Sequence, residues 1–105
     1  MAWLALTLAG ILEIGWAIGL KYTDGFTRLL PTLATVAAIV LSLALLGVAV
    51  RRLPVGTAYA VWTGIGTAGT VLLGIWLFAE PADPARLLFI AMIVAGVIGL
   101  RVVTP

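Results

Sequence analysis

Apolar residues along this chain form four long stretches that are separated by three short polar segments. The stretches run approximately over residues 3–20, 29–50, 55–78 and 85–100. Each is long enough to cross a hydrocarbon core about 30 Å thick as one helix of about 20 residues. The pattern therefore predicts an all-α integral membrane protein, with four transmembrane helices in a single domain that covers residues 1–105.

The three polar segments contain the residues expected of turns at a membrane surface. The first, residues 21–28, contains Asp24-Gly25, the second is residues 51–54, and the third, residues 80–84, combines two prolines with two acids. Asp-Gly pairs favour turns, and proline stops a helix or opens the next one. Because these connections are short, neighbouring helices should run antiparallel.

The composition indicates that the bilayer is the solvent of this chain. Apolar residues make up 64% of the sequence and charged residues only 10%, whereas a soluble domain has about 25% charged residues. A cleavable signal peptide is the alternative for the first stretch, but its start lacks basic residues and Leu20-Lys21 is not a small-residue cleavage site. We therefore expect a multi-pass membrane protein.

The residue types exclude most enzyme chemistry. Cysteine and histidine are absent, which removes disulfides, thiolate and imidazole catalysis, and the usual zinc ligands. The G-x-G-x-x-G pattern at residues 64–69 lies inside an apolar stretch without a preceding strand, so it does not indicate a dinucleotide site. The basic residues are scattered and form no nucleic-acid patch. We expect no enzyme activity, no cofactor and no metal.

Basic residues are divided equally between the two sides of the membrane. One side has Lys21, Arg28 and Arg86, and the other has Arg51, Arg52 and Arg101. Lys and Arg in short loops set the orientation of a membrane protein, so this tie predicts insertion in both directions, with a tie broken by the amino terminus or by a few weighted positions as the alternative. Four helices alone can hardly enclose a site that opens to either side, whereas two oppositely oriented copies form inverted repeats. An antiparallel, dual-topology homodimer is the resulting hypothesis.

Glu13 is the only charged side chain in the interior of these stretches. An ionisable group at the bilayer centre costs roughly 2.5 to 3.5 kcal/mol on insertion scales, and such a residue usually handles ions, protons or substrate. At about 1.5 Å per residue, Glu13 lies about 15 Å from Trp3 and about 12 Å from Lys21. This position near the midplane argues against a carboxyl that is merely tolerated near a helix end. Glu13 is the leading candidate for binding substrate and protons.

Helical spacing predicts a polar aromatic box around Glu13, because residues three and four apart share a face. The indole N–H of Trp16 is a possible donor to the carboxylate, with plain packing as the alternative. A hydroxyl on the second stretch is a candidate link, although such serines very often bond their own backbone. The candidate lining residues are Gly10, Trp16, Ser42, Tyr59, Trp62 and Thr63.

Two rows of small residues suggest conformational and assembly roles. In the third stretch, a glycine row is a candidate hinge for alternating access, with close packing as the alternative. In the fourth, small residues four apart would allow a second helix to approach closely, which makes them a candidate dimer contact. The hinge row is Gly64, Gly66 and Gly69, and the dimer row is Ala91, Ala95, Gly96 and Gly99.

Three segments give the chain a resemblance to the small multidrug resistance family across essentially its full length. They are Gly-Ile-Leu-Glu at residues 10–13, Lys-Tyr-Thr-Asp-Gly-Phe-Thr-Arg at 21–28, and Pro-Val-Gly-Thr-Ala-Tyr-Ala-Val-Trp-Thr-Gly-Ile-Gly at 54–66. The resemblance implies a dual-topology antiparallel dimer in the bacterial inner membrane. It also implies an exchange of protons for small cations, driven by the proton gradient.

Within that family the chain resembles the guanidinium exporters, because Trp16 stands where broad drug exporters tend to have a small residue, and because Ser42 is present. Ile39 stands where drug exporters often have an aromatic residue. The resemblance implies export of guanidinium and small guanidinyl cations, with Glu13 binding substrate and proton and with Trp16, Ser42, Tyr59 and Trp62 lining the site.

Besides a heteromeric transporter that pairs with a paralogue of fixed opposite orientation, three alternatives remain open at this point. The first is a polyspecific exporter of quaternary ammonium drugs within the same family. The second is a cation channel in which Glu13 forms a selectivity ring. The third is an accessory membrane subunit whose Glu13 pairs with a basic residue of a foreign subunit.

Overall fold

The computed structural model describes residues 1–104 and contains four α-helices: α1 (Ala2–Tyr22), α2 (Leu29–Ala49), α3 (Val55–Phe78) and α4 (Pro84–Val103). All four helices are long and apolar enough to cross a membrane. The predicted four-helix architecture is therefore confirmed. The largest boundary difference is at the end of α4, which continues to Val103 instead of ending at Leu100.

The turn between α3 and α4 ends one helix and starts the next through local backbone chemistry. Ala79 adopts a left-handed conformation with φ of 52°, and its N–H donates to the carbonyl of Gly74. The Glu80 N–H donates to the same carbonyl at 3.3 Å. Asp83 then caps α4, because its carboxylate accepts from the Arg86 N–H at 3.2 Å and Pro84 occupies the first helical position.

The turn between α1 and α2 is held by Thr23, which is buried. Its hydroxyl donates to the Leu20 carbonyl at 2.8 Å and accepts from the Phe26 N–H at 3.3 Å. Asp24, Gly25 and Phe26 all have positive φ. This conformation reverses the chain within a few residues, so α2 packs antiparallel beside α1.

Helix α1 lies at the centre of the packing and contacts both α2 and α3, while the backbone of α4 approaches only α3. No residue of α4 is buried. The chain measures 42 × 34 × 16 Å, and its shortest dimension is little more than the about 10–12 Å diameter of one helix. The single chain is therefore a thin slab, and residues between α1 and α3 lie near an open face.

Candidate functional site

The carboxyl group of Glu13 rests on the bare backbone of α3 at Gly66. A methyl group at Gly66 would collide with the carboxyl of Glu13, so only glycine leaves room for the side chain in this position. Atom Oε1 of Glu13 is buried and has no hydrogen-bond partner within residues 1–104. A buried acceptor without a partner is costly, so this oxygen is an unsatisfied acceptor in the described chain.

A groove of about 260 Å³ opens beside Glu13 between α1 and α3. This volume lies just below the range of about 300–1,000 Å³ that is typical of sites for drug-sized ligands. The groove is lined by Glu13, Trp16 and Ala17 from α1 and by Gly66, Thr67, Thr70 and Val71 from α3.

Two hydrogen-bond donors in this groove lack a partner. The indole nitrogen of Trp16 and the hydroxyl of Thr70 are both buried, and neither has a hydrogen-bond partner in the described chain. The hydrogen bond from Trp16 to Glu13 that the spacing suggested is therefore not formed. The carboxyl is instead turned onto Gly66. Both donors are left free for a ligand or for another chain.

Ser42 joins three helices through two hydrogen bonds. Its hydroxyl is fully buried, accepts from the Trp62 indole N–H at 3.0 Å and donates to the Ala9 carbonyl at 2.7 Å. The serine therefore bonds to α1 and α3 and not to its own helix. In an α-helix, the Ala9 carbonyl also accepts from the backbone N–H of Glu13, so this network reaches the backbone of Glu13 but not its carboxyl.

The remaining aromatic and hydroxyl candidates lie beside this network and not in the groove at Glu13. Tyr59 is 58% exposed, and its ring centroid is 5.6 Å from that of Trp62 at an interplanar angle of 55°. The hydroxyl of Thr63 is buried without a partner within residues 1–104. The structure thus brings Ser42, Trp62 and Tyr59 together, but none of them lines the groove beside the Glu13 carboxyl.

The glycines of α1 and α3 mark close approaches between helices. A methyl group at Gly10 would lie 2.7 Å from the Ile65 side chain, so Gly10 makes room for α3 and not for substrate. Gly69 faces Ile14, and Gly64 faces α4 at Val97. Helix α3 is continuous through all three glycines of the row, and their role as a hinge stays a prediction.

Sequence reasoning missed Thr67 and Thr70, which line the groove. The spacing of Thr63, Gly66, Thr67 and Thr70 is i, i+3, i+4 and i+7, which places them on one helix face. That stripe is visible in the sequence. Only the packing of α3 against α1 shows that Glu13 faces it.

The small residues of α4 remain accessible in the single chain. Ala91, Ala95, Gly96 and Gly99 are all exposed, and a methyl group at either glycine would meet no atom within 4 Å. The row is free to contact a second helix, and its role as a dimer contact stays a prediction.

Comparison with known proteins gives a consistent result. The family described as Small Multidrug Resistance protein matches residues 1–93. The guanidinium exporter of Citrobacter freundii is 60% identical over 104 residues, which cover 99% of each chain. The guanidinium exporter of Escherichia coli O6:H1 is 57% identical with the same coverage, and that of Salmonella typhimurium LT2 is 57% identical over 96% of each chain. The chain therefore belongs to the small multidrug resistance family, as a multi-pass protein of the bacterial inner membrane.

Proposed function

We propose that this chain exports guanidinium and small guanidinyl cations in exchange for protons, and that it acts as an antiparallel homodimer. One observation carries the proposal. The carboxyl of Glu13 lies in the interior of α1 beside a small groove and has no partner within residues 1–104. The chain that contains this carboxyl is 57–60% identical to proteins named guanidinium exporters.

Exchange follows from two ligands that compete for one carboxyl. A bare carboxylate in the membrane interior is costly, so Glu13 is expected to carry either a proton or a cation. Binding of one ligand releases the other. A proton gradient across the membrane then drives cation export, without ATP or a cofactor.

Selectivity follows from geometry more than from charge. Guanidinium is planar, and its N–H donors match a carboxylate in a bidentate arrangement that a compact ammonium does not reproduce. The groove also presents the aromatic ring of Trp16 and the hydroxyls of Thr67 and Thr70. A planar cation can bind to such a ring by a cation–π interaction. A quaternary ammonium has no N–H group to donate to the carboxylate, so it cannot form this bidentate arrangement.

A second copy of the chain would supply an association partner for α4 and a second Glu13 carboxyl, which a single chain lacks. Helix α4 has no buried residue, and its row of small residues is exposed, so it offers a surface for association. An antiparallel partner would bring a second Glu13 towards the first, which places two carboxylates around one cation. Two equivalent chains in opposite orientation would then exchange conformations, which opens the shared site to either side in turn.

The test uses purified protein in liposomes with an imposed cation gradient. Proton movement is recorded on addition of guanidinium and, separately, of tetrapropylammonium. We expect a response to guanidinium alone. Glu13→Gln should abolish it while the protein remains folded, because the amide keeps the shape of the side chain but cannot exchange a proton. Asp24→Asn is the matched control, since Asp24 is an exposed acid in the α1–α2 turn.

Other outcomes assign the protein to other classes. A comparable response to tetrapropylammonium would identify a multidrug exporter of the same family. Guanidinium current without coupled proton movement would identify a channel. Activity that appears only after addition of a second membrane protein would identify an accessory subunit. Retention of proton-coupled exchange by Glu13→Gln would refute the proposed mechanism.

A further inference from the structure

A second cavity, of about 450 Å³, lies at the end of the molecule where α1 begins and α2 turns into α3. It is separate from the groove at Glu13, because ten residues of helix span about 15 Å along α1. Nothing in the proposed transport cycle uses it. It is lined by Met1, Ala2, Trp3, Val48, Arg51, Arg52 and Leu53.

The charged side chains at this end of the molecule are all basic. They are Arg51, Arg52 and Arg101. The turns at the opposite end contain the acids Asp24, Glu80 and Asp83 in addition to their basic residues. Among residues 1–104 the ion pair found is Arg86 with Asp83, so Arg51 and Arg52 have no acidic partner there. The cavity therefore lies in the part of the molecule with an excess of positive charge.

The backbone of the α2–α3 turn is ordered, although its arginine side chains are exposed. The Arg51 N–H donates to the Val48 carbonyl at 3.3 Å, and the Arg52 and Leu53 N–H groups donate to the Ala49 carbonyl at 3.1 and 3.0 Å. Leu53 is 7% exposed and anchors the turn in the core. The backbone of the turn thus places both arginines at the edge of the cavity.

Trp3 is the aromatic residue in the lining of this cavity. Its indole nitrogen is buried and has no hydrogen-bond partner within residues 1–104. The Arg101 guanidinium stacks on the ring, with its central carbon 4.7 Å from the ring centroid. The lining of the cavity therefore combines two arginines and a tryptophan with an apolar wall, and it contains no carboxylate.

We propose that this cavity binds the phosphate of an anionic phospholipid headgroup. Tryptophan and arginine at a helix end are the residues found at the membrane–water interface, so lipid phosphates lie at the same depth as the cavity. Arginine binds phosphate in a bidentate manner, and basic pockets beside membrane helices recognise anionic headgroups. The apolar wall formed by Ala2, Val48 and Leu53 would contact the start of the acyl chains.

The experiment measures which lipid remains bound to the purified protein. Protein is reconstituted in vesicles of equal phosphatidylglycerol and phosphatidylethanolamine, extracted in mild detergent, and its bound lipids are quantified by native mass spectrometry. We expect phosphatidylglycerol to be enriched on the unmodified chain. If each arginine at the cavity favours the bound anionic headgroup about fivefold, the Arg51→Gln/Arg52→Gln double variant should lower that enrichment by about 25-fold.

Three control variants separate the site from general charge and from misfolding. Lys21→Gln/Arg28→Gln removes two cations from the opposite end and should leave the enrichment unchanged. Arg51→Lys/Arg52→Lys keeps the charge and should retain more phosphatidylglycerol than the Gln variant. Trp3→Phe removes the indole N–H, keeps a ring for Arg101, and should weaken retention. Gel filtration and thermal unfolding verify that every variant is folded.

Four results would overturn the proposal. They are equal retention of both lipids by the unmodified chain, an unchanged ratio in the Arg51→Gln/Arg52→Gln variant, an equal loss in the Lys21→Gln/Arg28→Gln control, and displacement of the lipid by inorganic phosphate. The last result would assign the cavity to a free anion and not to a lipid. Transport is not measured in this experiment, so its outcome is independent of whether the chain exports guanidinium.

Discussion

Gly66→Ala should weaken guanidinium binding and leave the fold intact. A methyl group at this position would lie 2.7 Å from Cγ of Glu13 and would collide with its carboxyl. Carbon atoms in contact are about 3.5–4.0 Å apart, so the side chain must withdraw by about 1 Å. Glu13 is long and flexible, and an altered rotamer costs only about 0.5–1.5 kcal/mol. The fold can therefore accommodate the substitution.

The site is expected to be more sensitive than the fold. A hydrogen bond to a charged group contributes about 1.5–3 kcal/mol. If a displaced carboxylate loses one such bond to the cation, the affinity falls by about tenfold to a hundredfold. The backbone of α3 is unchanged, and alanine is a better helix former than glycine, so thermal stability should fall little.

Isothermal titration of guanidinium into purified protein measures the affinity, and proton release in liposomes measures exchange. Gly56→Ala is the matched control, because Gly56 is also on α3 and a methyl group there meets no atom within 4 Å. An unchanged affinity of Gly66→Ala would refute the idea that the bare backbone at Gly66 positions the carboxyl. An equal loss in Gly56→Ala would attribute the effect to α3 in general.

Three further predictions concern stability and orientation. Ser42→Ala should destabilise the chain by about 1–3 kcal/mol, because it leaves the buried Trp62 N–H without an acceptor. A double-mutant cycle with Trp62→Phe should give a coupling energy of about 0.6–1.7 kcal/mol, and a coupling energy of zero would contradict this prediction. Ala79→Gly should raise stability by about 1 kcal/mol, since Ala79 has φ of 52°, and an unchanged unfolding temperature would argue against strain there. Arg51→Gln/Arg52→Gln should end the equal division of basic residues between the two sides of the membrane and place both termini on the outer side. A C-terminal phosphatase fusion reports this orientation, and an unchanged mixed orientation would contradict the positive-inside argument.

The helices and the position of Glu13 were predictable because the signals are local. A stretch of about 20 apolar residues must be satisfied by its own backbone hydrogen bonds in lipid, which leaves the helix as the solution. The turn residues at 21–28 and 80–84 mark the ends of the helices by their backbone preferences. The predicted ends therefore lie within three residues of the observed ones.

The contents of the site were predictable only in part. Spacing identified Trp62 as a candidate, the hydroxyl of Ser42 was a candidate link to it, and the structure joins the two by a hydrogen bond of 3.0 Å. Spacing also suggested a bond from Trp16 to Glu13, and this bond is absent in the described chain. Periodicity states which residues share a face of one helix, but it does not state which faces meet.

The sequence by itself determined that the chain crosses the membrane with four helices, that one carboxyl lies in the membrane interior, and that the chain resembles its family. These properties depend on residue type and on distance along the chain. Only the tertiary structure decided that Glu13 rests on Gly66 beside Thr67 and Thr70, and that Arg51 and Arg52 border a cavity with Trp3. The physical reason is that small residues permit close approach at many registers along these helices, and the choice among registers is made by packing over the whole chain.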